Sequence, residues 1–304
     1  MKNKPTEKEH YIPQTYLRAF SVPEDDRMII QYDLDENPVV SRRVPIKTIC
    51  YEKNLYEIKN SEGEIVRQNY LENCLNVLEG LFANNRRKLF AKANKINLGC
   101  KSFLSNEEKA FWKLYIALQL LRYPEALQTA EEAFEEFLIG ESSGEMTRDI
   151  AKLYCLPFLG SYDPEDRNVL TEELKLIEPL DICVEICQTE RFITSDRPIF
   201  AYSPTFPKEI KLEQIVFPLS PKVQLLLHTH GEQNHSLRNI LHLVDEEETS
   251  DAIRAMGFAA NRFVYANRTL DEKEIEVLRL GHKDKPLAIE KNMSKLAKIM
   301  EVPQ

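Results

Sequence analysis

Apolar residues change their spacing twice along the chain, and the two changes divide it into three stretches. In the first, Ile12, Tyr16, Leu17 and Phe20 share one side of a short helix that Pro13 is suited to open. Residues 28–34 (MIIQYDL) and 38–44 (PVVSRRV) read as two strands around the turn Asp35-Glu36-Asn37-Pro38. A second hairpin is expected at Leu55–Ile58 and Glu64–Val66 around Gly63. From about residue 68 the period becomes helical, with Leu71, Leu75, Leu78, Phe82 and Leu89 on one face. A longer helix opens at Ser105, where Glu108 completes a capping box. It turns Phe111, Leu114, Tyr115, Leu118 and Leu121 inward and meets Pro124, which kinks or breaks it. Helix is expected again from Ala126 to Leu138, then a loop at Ile139–Gly144 and more helix from Thr147 to Leu156.

Strand signals return at Ile182–Ile186, Arg191–Thr194, Ile215–Leu219 and Val223–His230. Prolines 198, 204, 207, 218 and 221 separate them and argue against long helices. Helices at 246–260 and 271–280, with a short strand Phe263–Ala266 between, close the pattern, and a lysine-rich tail beyond Lys285 reads as a loosely docked helix. Strands, then helices, then strands make an α+β fold: N- and C-terminal β-bearing parts form a sheet region, with a large all-helical block inserted between them. The whole of 1–304 is read as one large domain, with sub-parts 1–67, 68–178 and 179–304.

Composition narrows the classes of function. Hydrophobic content of 43% and charged content of 29% belong to a globular chain and exclude wholesale disorder. With 40 Lys+Arg against 49 Asp+Glu the net charge is −9, which gives no general attraction to nucleic acid or to an anionic membrane. No window approaches the ~18 uninterrupted apolar residues of a membrane-spanning helix. The start, MKNKPTEKEH, has no apolar stretch resembling an export signal, so the six irregularly spaced cysteines read as reduced thiols and the location as cytoplasmic. Glycine is scarce at nine residues, and neither GxGxxG nor GxxxxGK[ST] occurs, which disfavours a nucleotide-cradling loop.

Several short patterns have plain structural readings. Gly140-Glu141-Ser142-Ser143-Gly144 matches GxSxG, but the acidic helical run before it is not the strand that a nucleophile elbow needs. His228 and His230 share a strand face, with His235 and His242 nearby, yet no cysteine or carboxylate completes a metal spacing. Cys183 and Cys187 lie four apart on a strand and read as small core residues. Asp196 with Glu209-x-Lys211 only loosely matches the D…ExK arrangement of metal-dependent nucleases. Arg86-Arg87-Lys88 reads as the cationic end of a helix, or as a basic rim together with Arg42 and Arg43.

Four features remain as candidate chemistry. His10 precedes the first helix, where Gln14 and Arg18 lie one turn apart on a common face and Tyr11 is a supporting aromatic. Arg122 falls on or beside the apolar stripe of its helix, where it needs a partner for its charge, and Pro124 follows it closely. Phe192-Ile193-Thr194-Ser195-Asp196-Arg197-Pro198 runs a strand into a polar turn, a rigid mount for a hydroxyl and a carboxylate, although turn chemistry alone favours Ser-Asp there. Glu72, Glu79 and Arg86, spaced by sevens, read as an exposed salt-bridged face, with Glu79 near enough to the stripe to partner Arg122 or Arg18.

The segments HYIPQTYLRAF, LQLLRYPE, FITSDRPIF and FPLSPK, in this order and spacing, resemble the bacterial, fungal and phage family called domain of unknown function 4238, over about residues 8–266. The resemblance implies that His10, Gln14, Arg18, Arg122, Pro124, Ser195 and Asp196 belong to the family pattern, and it implies no activity.

Three functions fit these residues. The first is a phosphodiester- or nucleotide-hydrolysing enzyme, nuclease-like and suited to bacterial defence or a toxin. His10 would be its acid or base, Asp196 and Ser195 would complete the site, Arg18 and Arg122 would clamp the anion, and a divalent metal is the candidate cofactor. Nucleic acid or a nucleotide would then be met through a local patch such as Arg42, Arg43 and Arg86 to Lys88. The second is a sensor or interaction protein in which the same residues form a buried structural network. The third binds a small anion without turnover.

Overall fold

The structure is a computed structural model, which describes residues 8–59, 65–67, 69–95, 98–128, 169–203, 211–229 and 237–283. The architecture is α+β. Strand β1 (Lys8–His10) leads into a one-turn helix α1 (Gln14–Leu17), continued by a 3-10 turn at Arg18–Phe20. Pro13 is the residue before the first turn, and Ile12, Tyr16, Leu17 and Phe20 are all buried, as their spacing predicts. The hairpin β2 (Met28–Asp33) and β3 (Val40–Pro45) follows, then β4 (Tyr51–Lys53), which pairs back with β1. The second hairpin is short, β5 (Ile58–Lys59) with β6 (Ile65–Arg67).

The helical block comprises α2 (Tyr70–Ala93), α3 (Asn106–Leu121), a helical turn over 124–128 and α4 (Val169–Ile177). Ser105 and Glu108 form the expected reciprocal cap of α3. The helix stops at Leu121, and Pro124 starts the next turn, where its missing N–H costs nothing. The remainder of the segment expected at Ala126–Leu138, the loop at Ile139–Gly144, the helix at Thr147–Leu156 and the tail beyond Lys285 lie outside the described residues.

The third stretch builds two sheets. Strands β7 (Asp181–Ile186), β9 (Phe200–Tyr202), β10 (Gln214–Pro218), β11 (Val223–His228) and β12 (Leu241–Leu243) make a five-stranded sheet in the order β12-β7-β11-β10-β9, antiparallel except for β12 beside β7. Strands β8 (Thr194–Ser195) and β13 (Phe263–Ala266) join the N-terminal hairpin in the order β3-β2-β13-β8. Only Thr194 of the strand expected at Arg191–Thr194 pairs in a sheet; before it the Phe192 N–H goes to the Pro221 carbonyl at 2.9 Å, outside any strand. Helices α5 (Glu246–Ala259) and α6 (Glu272–Lys283) close the described chain.

The central sheet is buried on both faces, which is why β11 reads as a continuous apolar run. On one face Ile182, Val184, Phe217, Leu225 and Leu227 share a core with α2 and α3. Its centre is aromatic: Phe82 stacks on Tyr115 at 4.4 Å between centroids, and Tyr16 on Phe217 at 5.5 Å. On the other face Cys183, Val216 and Leu226 meet Ile253 and Met256 of α5 and Leu278 of α6. Among the described residues no helix is long and apolar enough to cross a membrane.

Helices α5 and α6 approach so closely that a Cβ on Gly257 would collide with the Leu278 carbonyl, and one on Gly281 with the Arg254 carbonyl. Gly257→Ala is therefore expected to lower unfolding free energy by about 1–3 kcal/mol in urea titrations. Gly80, on an exposed helical face with open space around it, should gain about 0.5–1 kcal/mol when changed to Ala. Equal stability for Gly257→Ala and the unchanged protein would contradict the close contact.

Candidate functional site

The N-terminal segment is gripped by the helical block through side chains that take hold of its carbonyls. On α3, Tyr115, Gln119 and Arg122 follow at four and seven residues and so share a stripe. Gln119 Nε2 donates to the Tyr11 carbonyl at 2.8 Å, and Arg122 Nη2 donates to the His10 carbonyl at 3.0 Å. The same Nη2 reaches Glu79 Oε1 of α2 at 3.0 Å, the counter-charge that a fully buried guanidinium requires. The Tyr56 hydroxyl donates to the Arg122 carbonyl at 3.3 Å, and the guanidinium lies over the Tyr56 ring.

On α2, the polar residues spaced by sevens do not form the exposed salt-bridged face that their pattern suggests. Glu79 pairs with Arg122, burial raises the pKa of Glu72, and Arg86 turns toward α1. Arg86 donates to the Thr15 carbonyl at 3.0 Å and reaches that of Tyr16 at 3.5 Å, so it closes off the C-terminal end of α1 while packing over the Phe82 ring. It is not at a helix end, since α2 continues to Ala93, and of that triplet only Arg87 and Lys88 are exposed. Among the described residues Arg86 meets no carboxylate, and desolvation pulls its pKa below the ordinary arginine value. Arg42 and Arg43 are exposed on β3, where adjacent residues face opposite sides, and Arg43 is paired with Glu24 at 2.7 Å.

Around this junction several polar atoms are buried without a hydrogen-bond partner: Arg122 Nη1, Tyr115 Oη, Gln119 Oε1, Thr15 Oγ1 and His10 Nε2. Native interiors satisfy most such groups, so a concentration of them marks a place for a water or a ligand. Burial lowers the His10 pKa to about 4, a hydrogen bond to the Lys47 backbone works the other way, and the charges of Arg122 and Lys8 lower it further. The imidazole is neutral at pH 7, with Nε2 as a buried acceptor or donor according to its tautomer.

Ser195 and Asp196 are used differently. Asp196 Oδ1 accepts the N–H of Asn261 at 2.7 Å, and Oδ2 accepts those of Arg262 and Phe263 at 2.9 and 3.0 Å. Burial raises its pKa while these three amides oppose the rise. Ser195 Oγ donates to the Arg197 carbonyl at 2.6 Å and accepts the Arg197 N–H at 3.2 Å. Asp196 holds the turn after β8 against the start of β13, while Ser195 closes that turn on itself. The charge of Asp196 acts on Tyr11, Cys50 and Tyr265, whereas His10 feels Arg122 and Lys8. Burial likewise pushes the Tyr11 hydroxyl up.

His10, Arg122 and Glu79 are thus brought together. Gln14 is half-buried on α1 and Arg18 exposed at the start of the 3-10 turn, where among the described residues neither side chain makes a hydrogen bond or ion pair, and Pro124 is half-buried two residues after Arg122. Gln119, Tyr56 and Tyr115 are additional members of the junction. Gln119 is detectable in the sequence as an amide between the stripe positions Leu118 and Leu121, while the spacing of Tyr115 marks it only as core and Tyr56 carries no signal.

Among the described residues no three His, Cys, Asp or Glu side chains are placed to hold a metal ion. Gly140 to Gly144, Glu209, His230 and His235 lie outside the described residues. Cys183 and Cys187 are buried in the core.

Residues 8–269 match the model of a family described as protein of unknown function (DUF4238). The chain belongs to the DUF4238 family. No curated protein and no solved structure matches it. The DUF4238 region begins at β1 and ends just after β13, so it contains the gripped segment, the described helical block and both larger sheets, and stops before α6.

Removing Arg122 strands the Glu79 charge and the His10 carbonyl. Arg122→Ala is expected to cost about 3–5 kcal/mol in denaturant unfolding. Adding Glu79→Gln to Arg122→Met should restore part of that loss. A cost under about 1 kcal/mol for Arg122→Ala would remove the guanidinium from its structural role.

Proposed function

We propose that this protein binds a small anion, a carboxylate or a phosphate monoester, at the junction of α1, α2 and α3. Arg86 carries this reading: it is a half-buried cation held by two carbonyls and a ring, with no carboxylate among the described residues. Carbonyls orient a guanidinium but do not neutralise it, and an anion arriving from solution supplies the missing charge. The unpartnered Tyr115 Oη, Thr15 Oγ1 and Arg122 Nη1 are the donors that an anion's remaining oxygens would use. Tyr115 and Arg86 each influence the other's titration, which places them in one electrostatic neighbourhood.

Turnover finds less support. A base with a pKa of about 4 is weak at neutral pH. The Asp196 oxygens are already committed to three backbone amides. A chain of net charge −9 whose Arg42 and Arg43 face apart offers little to a polyanionic strand.

Calorimetric titration with inorganic phosphate, small phosphate monoesters and small carboxylates tests this reading. Saturable binding to the unchanged protein is expected, with a rise in melting temperature and no product formed. Arg86→Gln should weaken it at least about tenfold, equivalent to about 1.4 kcal/mol. Phosphate and carboxylate arms separate the two sources of charge. Absence of binding across the panel, or equal binding by Arg86→Gln, would contradict the proposal.

A further inference from the structure

The face of the central sheet that packs under α5 carries a polar row. Strand register sets His242 of β12, Glu185 of β7 and Gln224 of β11 side by side. Cys183 on β7 and Cys187 just past its end, two residues to either side of Glu185, are buried in apolar packing beside it. Glu185 is 5% exposed and Gln224 2% exposed. Gln224 Nε2 donates to Glu185 Oε2 at 2.6 Å, while Gln224 Oε1 is buried with no donor. At the sheet edge, His242 Nε2 lies 2.8 Å from Glu248 Oε1 of α5. The other Glu248 oxygen accepts the Asp245 N–H at 2.9 Å and so caps α5.

The titratable neighbours of Glu185 can be named element by element. His242 comes from β12, Glu248 from α5, Cys183 from β7 itself and Cys187 from the residue after it. The β11 residue facing it is the neutral Gln224. Cys183 Sγ is turned to the Ile240 carbonyl and Cys187 Sγ to Thr189 and Thr249.

An ionised Glu185 leaves two faults: a carboxylate withdrawn from water, and an amide oxygen with no donor. One proton mends both. The neutral acid donates its O–H to Gln224 Oε1 while its second oxygen keeps the Gln224 N–H, which closes a two-bond ring between acid and amide. We propose that Glu185 is a proton-operated switch, closed onto Gln224 as the neutral acid and opened as the carboxylate, with the β12 edge and its seat under α5 loosened on opening. The proton is exchanged with solvent and no covalent bond changes.

Burial lifts the Glu185 pKa from 4.5 to about 7, with the Gln224 hydrogen bond and the His242 charge opposing the rise. A folded-state pKa raised above the unfolded one contributes stability that is fully present below about pH 4.5 and is lost as pH rises through about 7.

Thermal unfolding between pH 5.5 and 8.5 reads the switch, in a Glu173→Gln background that removes the other buried carboxyl raised to about 7 among the described residues. The melting temperature should fall as pH rises through about 7, and Glu185→Gln should flatten that fall. Amides of residues 241–243 should lose exchange protection over the same interval. An identical slope with and without Glu185 would overturn the proposal. Should Glu185→Gln fail to fold, carbon-13 titration of the Glu185 carboxyl in the unchanged protein decides. A midpoint near 7 is expected, and one below about 5, close to an ordinary glutamate, overturns it.

Discussion

A guanidinium buried at the end of α3 is the constraint on which the rest of the structure depends. Arg122 cannot be withdrawn from water without a counter-charge, so Glu79 must face it, and that requirement fixes how α2 rotates against α3. Its remaining reach goes to the His10 carbonyl, while Gln119, one turn earlier, takes the Tyr11 carbonyl. Arg86 repeats the device on Thr15 and Tyr16. Four carbonyls of one short segment are therefore held by side chains of the helical block. The segment in turn reaches both sheets, since the Tyr16 hydroxyl donates to the Pro218 carbonyl at 2.7 Å and lies 2.8 Å from Thr194 Oγ1.

The two arginines differ in what completes them. Arg122 has a carboxylate and is a finished structural element apart from its free Nη1. Among the described residues Arg86 has only carbonyl dipoles and the Phe82 ring. Arg122 holds the segment with its charge answered inside the protein, whereas the proposed anion site rests on Arg86. Asp196 belongs with Arg122: a carboxylate fed by three backbone amides is a building part of the turn between the sheets.

The hydrophobic periods made the large elements legible, because burial of a continuous apolar face is a local property of the sequence. The faces of α2 and α3, the break at Pro124, the N-terminal hairpin and the pair α5–α6 all follow from it. Strands of three residues, such as β1, β4, β9 and β12, exist because distant partners lie beside them, and that pairing is not written locally. Candidate chemistry was legible only in part. Arg122 stood out because a charge on an apolar stripe needs an answer, and Glu79 was within the right spacing to give it. The inward turn of Glu72 and Arg86 was hidden, since spacing by sevens defines a common face but not which way that face points. Ser195-Asp196 carried two readings, turn and site, that only the positions of Asn261 to Phe263 distinguish.

Hydrogen exchange of the N-terminal segment tests the central role of Arg122 most directly. In Arg122→Met, amides of residues 8–20 and 51–57 should lose protection, while those of β7, β10 and β11 keep theirs. Unchanged protection over residues 8–20, or a uniform loss across all three central strands, would contradict a clamp that acts through this guanidinium.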